Sequence, residues 1–550
     1  MSTVPPETLE QHALRFPKLT EAQVALLRTS SKERQPGSGE ILFNQESADH
    51  GVFVVVTGSI EIVGVSNGVE SILSVLGPGE FTGEITQLSG RRSLVVCRAR
   101  EASELLEIDR PNLRQVMQTN SVLGDLFLRA FVLRRLFLIA NSIGDAVLIG
   151  SALSSDTLRL RTFLGRNGHP YTYLDVDVDT DIQAVLEHFS VQVTEIPVLI
   201  CRGQLVLRNP SNAETAACFG LNVGIEQAGI FDMVVVGAGP AGLAAAVYGA
   251  SEGLKVLVLE STAPGGQAGS SSRIENYLGF PMGISGQDLA DRAFIQAEKF
   301  GAQISIARTA VGLKSVKSPY AVELDDGGTV EGRTIIIAAG SRYRKLNLPN
   351  VAQFEGAGIY YGATQVEAPM CQNDDVAIVG GGNSAGQAAL FLAGFAKHVH
   401  ILVRGSGLAQ TMSRYLIARI EASPNITVEA LTTVEALEGN THLERIRWRN
   451  GQTGVVSSHQ IQHLFLMTGA DPNTAWLGTS LSLDPKRFIK TGVDVATEWP
   501  LQRAPFLLET SLPGIFAVGD IRANSIKRVA SAVGEGSMAV QFVHQVLAGR

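Results

Sequence analysis

Residues Phe231 to Glu260 read FDMVVVGAGPAGLAAAVYGASEGLKVLVLE, and this stretch decides the fold. Met233 to Val236 form an apolar, valine-rich run. Gly237, Gly239 and Gly242 follow it in GxGxxG spacing, where the chain must turn and open a helix. A dinucleotide needs that order. The first glycine permits the tight turn, the second lets backbone approach a pyrophosphate, the third lets helix pack on strand, and the helix N-terminus faces the phosphates. Glu260 closes the second strand 18 positions after Gly242, near the roughly 20-residue spacing at which an acid accepts from a ribose hydroxyl. Strand, helix and acid together separate this stretch from an ordinary glycine-rich loop and predict a dinucleotide-binding βαβ unit.

Outward from it, 550 residues are too many for one core and imply three or four domains. Hydrophobic residues make up 45% and charged residues 18%, with 57 glycines, which fits an α/β enzyme full of tight turns and excludes a disordered or fibrous chain. A net charge of -8 without a basic cluster argues against a nucleic-acid partner. The start, MSTVPPETLEQ, lacks the profile of a signal peptide, and no apolar run reaches the roughly 18 residues of a membrane span. A cytoplasmic protein with no membrane partner is expected. Cys97, Cys201, Cys218 and Cys371 lie apart without CxxC spacing, so four buried thiols are expected, with neither a disulfide framework nor a metal site.

Ahead of the βαβ unit, short apolar runs between glycine turns, such as Gly51 to Ile62 and Val69 to Leu76, predict a small β-barrel. Within it FTGEITQLSGRRSLVV places Gly83 and Glu84 before Arg91, Arg92 and Ser93. This resembles the phosphate cassette of cyclic-nucleotide-binding domains, over roughly residues 18 to 140. The resemblance implies that Glu84 grips a ribose hydroxyl and Arg92 the cyclic phosphate, with Gly83 and Ser93 in the cassette. The segment between Gly-Glu and the arginines is one residue short of the family pattern, and Leu94 stands where a small residue is usual. A barrel that has lost its ligand is the alternative. The helical stretch Leu113 to Asn141 is expected to pack an apolar face on the barrel or on a second subunit.

From Asp145 to about Leu221, strand AVLIGS, helix Thr157 to Asn167, strand TYLDVDV, a helix and the hairpin PVLICRGQLVL alternate as a compact α/β unit. It resembles a thioredoxin or glutaredoxin fold, with Ile196-Pro197 where that fold has a cis-proline. The loop where the redox cysteines would stand, SALSSD from Ser151 to Asp156, has none. A docking or spacer module is expected.

The remaining chain resembles the low-molecular-weight thioredoxin reductases, class II pyridine nucleotide-disulfide oxidoreductases. Gly265, Gly266 and Gln267, then IENYLGFP from Ile274 with Asn276, then GQDLADRAFIQAEKFGA follow the family's flavin half, and Ile335 to Gly340 resembles its ATG strand. A second βαβ unit, VAIVGGGNSAGQAALFLA from Val376, carries Gly380, Gly382 and Ala385 as GxGxxA, with Asn383 and Ser384 between them. The resemblance implies FAD on the first unit and NADPH on the second, inserted into the first. It also implies a return to the flavin at Gly519-Asp520, with Arg528, Val529 and Ala530 approaching the ring. Of the family's NADPH-binding histidine and arginines only Arg404 stands after the second strand, with Arg414 further on. No acid occupies the strand end, so NADPH is preferred and NADH is the alternative.

The expected architecture is α/β multidomain. Residues 1–143 form the cyclic-nucleotide-binding-like barrel and 144–224 the thioredoxin-like module. Residues 225–347 with 468–550 form the FAD domain, and 348–467 the NAD(P)H domain. At the family's dithiol the chain reads GIYYGATQV from Gly358. Gly362 and Gln365 fall on the two cysteines and Val366 on the aspartate that follows, so no catalytic residue is assigned. The expected function is hydride transfer from NAD(P)H to FAD and on to an unidentified acceptor, in a homodimer, with a cyclic nucleotide as effector. One alternative is a thioredoxin-disulfide reductase with a relocated thiol, and another is a cyclic-nucleotide sensor whose flavin domains act as a binding module.

Overall fold

In this computed structural model residues 9–549 are described, apart from 46, 48–49, 67–68, 85, 90–91, 142–145, 180–191, 193–194, 202–204, 222–228 and 315–316. Both boundaries expected for the thioredoxin-like module, at 143/144 and 224/225, lie outside the described residues, as do Arg91 and much of that module's second helix. The chain divides into two compact units. One holds Met1–Gly150, Asn167–Val223 and Glu298–Gln303; the other holds Ser151–Arg166, Gly224–Ala297 and Ile304–Arg550.

In the first unit the N-terminal strands form two antiparallel sheets. Phe53 and Leu105 are fully or almost fully buried between them, while Phe81 and Leu106 are fully buried in the core that the following helices share. The expected single helical stretch is two helices, Arg110–Thr119 and Ser121–Ala140. Asn120 divides them, because its side chain accepts from Leu123 N and caps the second helix. Phe127 and Phe131 on that helix meet Phe81 edge-on at 4.7 and 6.4 Å, so its apolar face packs on the barrel.

The same unit carries a four-stranded sheet in the order Leu205–Arg208, Val198–Cys201, Ala146–Gly150, Thr172–Asp175, with only the last pair parallel. The Ile196-Pro197 peptide is cis. Cys201 and Cys218 form a disulfide, which corrects the expectation of four free thiols. Sequence spacing finds only short dithiol loops; here a central strand and the helix Asn212–Cys218 bring together cysteines 17 positions apart.

In the second unit Phe231–Val236 runs parallel to Val256–Glu260 on one side and Thr329–Ile337 on the other. Ile515–Ala517 returns from far along the chain to pair with Thr329–Ile337. Between them a five-stranded parallel sheet is inserted, with Asp375–Val379 between His398–Val403 and His463–Leu466. The two connections pair with each other, Ser341–Tyr343 against Ala470–Pro472. One dinucleotide fold is thus nested inside another, as the family resemblance implies.

Candidate functional site

The first glycine turn builds a cavity of about 870 Å³. Gly237 has φ 105°, and a Cβ there would lie 2.5 Å from Ala338 O. Gly242 allows no side chain either, because its Cβ would fall 1.9 Å from Gly237 O, where helix Pro240–Ser251 crosses the turn. Gly239 differs: a Cβ would meet only Gly266 Cα, at 3.9 Å. It lines the cavity, so its missing side chain leaves room for a phosphate to reach backbone. It also caps a helix that has no side-chain cap bond, leaving the first N–H groups for a ligand. A buried glycine cradle at a bare helix N-terminus fits the pyrophosphate of FAD.

Glu260 is buried at the end of its strand. Its carboxylate accepts from Ala238 N at 2.8 Å, Thr262 N at 2.8 Å and Ala263 N at 3.2 Å, so it fixes the glycine turn while lining the cavity. Gly266, Gln267 and Asn276 line it too, and Gln267 donates to Ser341 O.

A second helix N-terminus, that of Val529–Leu547, opens on the same cavity through Arg528, Val529 and Ala530, again without a side-chain cap. Gly519 and Asp520 lie beside it. Gly519 N donates to Glu535 Oε2 at 2.7 Å, and Arg522 Nη2 to Glu535 Oε1 at 2.5 Å. Glu535, absent from the sequence reading, therefore holds the Gly-Asp turn from inside the C-terminal helix. Burial pushes the Asp520 carboxyl up from its ordinary value, opposed by Lys527 and a bond from Ser341. Burial pushes the Lys527 ammonium down.

The second glycine turn follows the same physics. Gly380, at φ 146°, would put a Cβ 2.3 Å from Met467 O, whereas Gly382 has open space and caps helix Asn383–Leu392. Ala385 is fully buried in that helix. Asn383 and Ser384 line the cavity together with Tyr343, and Asn383 Oδ1 accepts from Ser413 N at 2.7 Å. Arg404 and Arg414 are exposed beyond the strand His398–Val403. Among the described residues neither has an ion pair.

At the dithiol positions Gly362 is half-buried, with a Cβ position 3.4 Å from Ser270 Cβ, and Gln365 is exposed. Thr364 N donates to Glu367 at 2.9 Å and closes the turn. Cys371 is fully buried in the inserted domain's core, and burial pushes its thiol up to about 12. It is a packed side chain, without the thiolate that redox chemistry requires.

In the barrel, Gly83, Glu84 and Ser93 line a cavity of about 50 Å³ with His50, Gln87 and Arg134. That volume holds a few waters. Arg92, expected at the cyclic phosphate, is not among the lining residues; its stem runs beside Gly220, whose Cβ would lie 3.6 Å from Arg92 Cγ. Arg134 donates to Gly83 O at 2.8 Å, and Arg135 lies 3.7 Å from Glu84.

Two nested dinucleotide folds that share one cavity define an FAD-dependent oxidoreductase. The family profile described as pyridine nucleotide-disulphide oxidoreductase matches residues 231–536, and the chain belongs to that family. A cyclic nucleotide-binding domain profile matches residues 33–120. The chain is 33% identical over 319 residues to a thioredoxin reductase of Streptomyces coelicolor, covering 58% of this chain and 94% of the relative. A thioredoxin reductase of Treponema pallidum is 32% identical over 311 residues, covering 56% of this chain and 94% of the relative. The crystal structure of Lactococcus lactis thioredoxin reductase, in its FR conformation, superposes with a TM-score of 0.53 at 27% identity, covering 58% of this chain and all of that one.

Proposed function

We propose that the chain binds FAD at the first glycine turn and NADPH at the second, and passes electrons to an acceptor other than an internal dithiol. The carrying observation is the pairing of two bare glycine-turn helices on one cavity with Gly362 and Gln365 at the dithiol positions. The chemistry a bound flavin would supply is acceptance of a hydride from a nicotinamide and onward release of electrons, and the protein supplies binding and orientation. Gly237, Gly239 and Gly242 set the backbone against the diphosphate, and Glu260 holds that turn and accepts from a ribose. Asp520 would hold the ribityl and phosphate region of the cofactor, and the N-terminus of Val529–Leu547 would supply positive potential to the flavin. Arg404 meets the 2'-phosphate that distinguishes NADPH from NADH. Reducing a protein disulfide needs an attacking thiolate and a resolving thiol, and the Gly-Ala-Thr-Gln turn supplies neither.

The N-terminal domain takes a cyclic nucleotide as effector in this reading, through Gly83, Glu84, Arg92 and Ser93, and the protein is a cytoplasmic homodimer. Anaerobic mixing of purified protein with NADPH and then NADH tests the core. Flavin absorbance should bleach, faster with NADPH; protein that takes up no FAD contradicts the reading.

A second reading is favoured by the Cys201–Cys218 disulfide. If the relocated thiol of a thioredoxin-disulfide reductase exists, that pair is the candidate. Alkylation after anaerobic NADPH reduction separates the readings: two newly labelled cysteines support the second, and an intact disulfide supports the first.

A further inference from the structure

We propose that Arg166 is a phosphate-binding residue of the flavin dinucleotide site, supplied by a helix that lies outside the family-matched segment. The inference rests on the FAD reading above and deepens it. Arg166 ends helix Ser155–Arg166, and this helix groups with the flavoprotein unit while the strand before it belongs to the other. Its side chain lines the same cavity as Gly239 and Glu260.

Three observations converge. Arg166 Nη2 donates to Gly266 O at 2.8 Å, and Gly266 Cα is the atom that a Cβ on Gly239 would meet. The guanidinium therefore sits beside the glycine expected to touch the pyrophosphate. Gly269 makes room for it, since a Cβ there would press on Nη2 at 3.2 Å. Gln287 Nε2 donates to Arg166 O at 3.0 Å and fixes the residue's backbone, while bonding Asp291 at 2.8 Å.

The third observation is charge. Arg166 Nε is buried without a hydrogen-bond partner, and among the described residues no carboxylate pairs with the guanidinium within 4.0 Å. Glu260, Glu367 and Asp291 act on it only through space. Glu260, the acid in the same cavity, already accepts from three backbone N–H groups. A partly buried guanidinium whose Nε has no partner and which no anion pairs is unfavourable, and an arriving anion would relieve it. Burial accordingly pushes its pKa down. A diphosphate between this fork and the bare N-terminus of Pro240–Ser251 would satisfy both.

The test is titration of deflavinated full-length protein with FAD, for the wild type, Arg166→Gln and Arg166→Lys, with thermal unfolding of each protein without FAD. A charge-assisted phosphate contact predicts that Arg166→Gln raises the FAD Kd roughly tenfold to a hundredfold. Arg166→Lys should recover part of that loss, and the Tm without FAD should not fall, because an uncompensated buried charge has been removed. Inorganic pyrophosphate alone should raise the Tm of the wild-type protein and not that of Arg166→Gln. Equal FAD affinity in the wild type and Arg166→Gln overturns the inference. So does a parallel loss of affinity and Tm in both variants, which would make Arg166 only a clamp on the Gly266 carbonyl. A wild-type protein that takes up no FAD contradicts the flavin reading itself, and this inference with it.

Discussion

At the scale of single residues, the three glycines of the first turn have separable jobs. Gly242→Ala places a Cβ 1.9 Å from Gly237 O, so helix and strand must move apart. About 1–3 kcal/mol of stability should be lost even without cofactor, as read by chemical denaturation. Gly239→Ala meets no such clash, because within 4 Å its Cβ would find only Gly266 Cα, at 3.9 Å. Its folding should survive while FAD retention is abolished, and a variant that purifies yellow would contradict the role given to this position. Cys371 yields a different expectation. With its thiol pushed up to about 12, it should resist iodoacetamide at pH 8 in the native protein and react after denaturation, as read by mass spectrometry. Rapid native labelling would reopen it as a redox thiol. The glycines were legible because their spacing is a local backbone requirement. Glu535 was not, since one acid in VASAVGEGSMAV announces nothing until the fold brings Gly519 N to it at 2.7 Å. Arg166 was hidden for the same reason, as its partner Gly266 is 100 positions away.

At the scale of elements, Asn120 is where sequence and structure part over a helix. The run from Leu113 to Asn141 keeps its apolar pattern across the break, so periodicity alone reads one helix, whereas Asn120 prefers to cap. Asn120→Ala removes the bond to Leu123 N and should cost about 1 kcal/mol in the barrel's unfolding. In the barrel, residue identity made Glu84 and Arg92 look like partners in a site. Sequence did not announce that Arg134 donates to Gly83 O or that the Arg92 stem runs beside Gly220, because both partners are far along the chain. The inserted domain carries a pH signature in His400, His459 and His463. Burial lowers each below its ordinary value near 6.5, opposed at His400 by Glu429 and at His463 by Asp374. The unfolded chain therefore binds protons that the folded domain refuses. Stability is full above pH 6.5 and lost as the pH falls below it. A melting temperature lower at pH 5.5 than at pH 7.5 is expected, and the three His→Gln changes together should flatten that difference; an unchanged slope would contradict the assignment.

At the scale of the molecule, the two dinucleotide folds were legible because each glycine motif marks a strand-to-helix junction, and their nesting and the return at Gly519-Asp520 followed from the family resemblance. The Cys201–Cys218 disulfide was not, because its two cysteines meet only after strand and helix have packed. The proposed function requires this thioredoxin reductase-like flavoprotein to work without an internal dithiol. Stopped-flow reoxidation tests it most directly: protein reduced anaerobically with NADPH is mixed with oxidised thioredoxin or with ferricyanide. The account predicts that ferricyanide restores the flavin absorbance and that thioredoxin does so no faster than buffer, in the wild type and in a Cys371→Ser variant alike. Rapid reoxidation by thioredoxin, above all if it survives replacement of Cys371, Cys201 and Cys218 by serine, would contradict it.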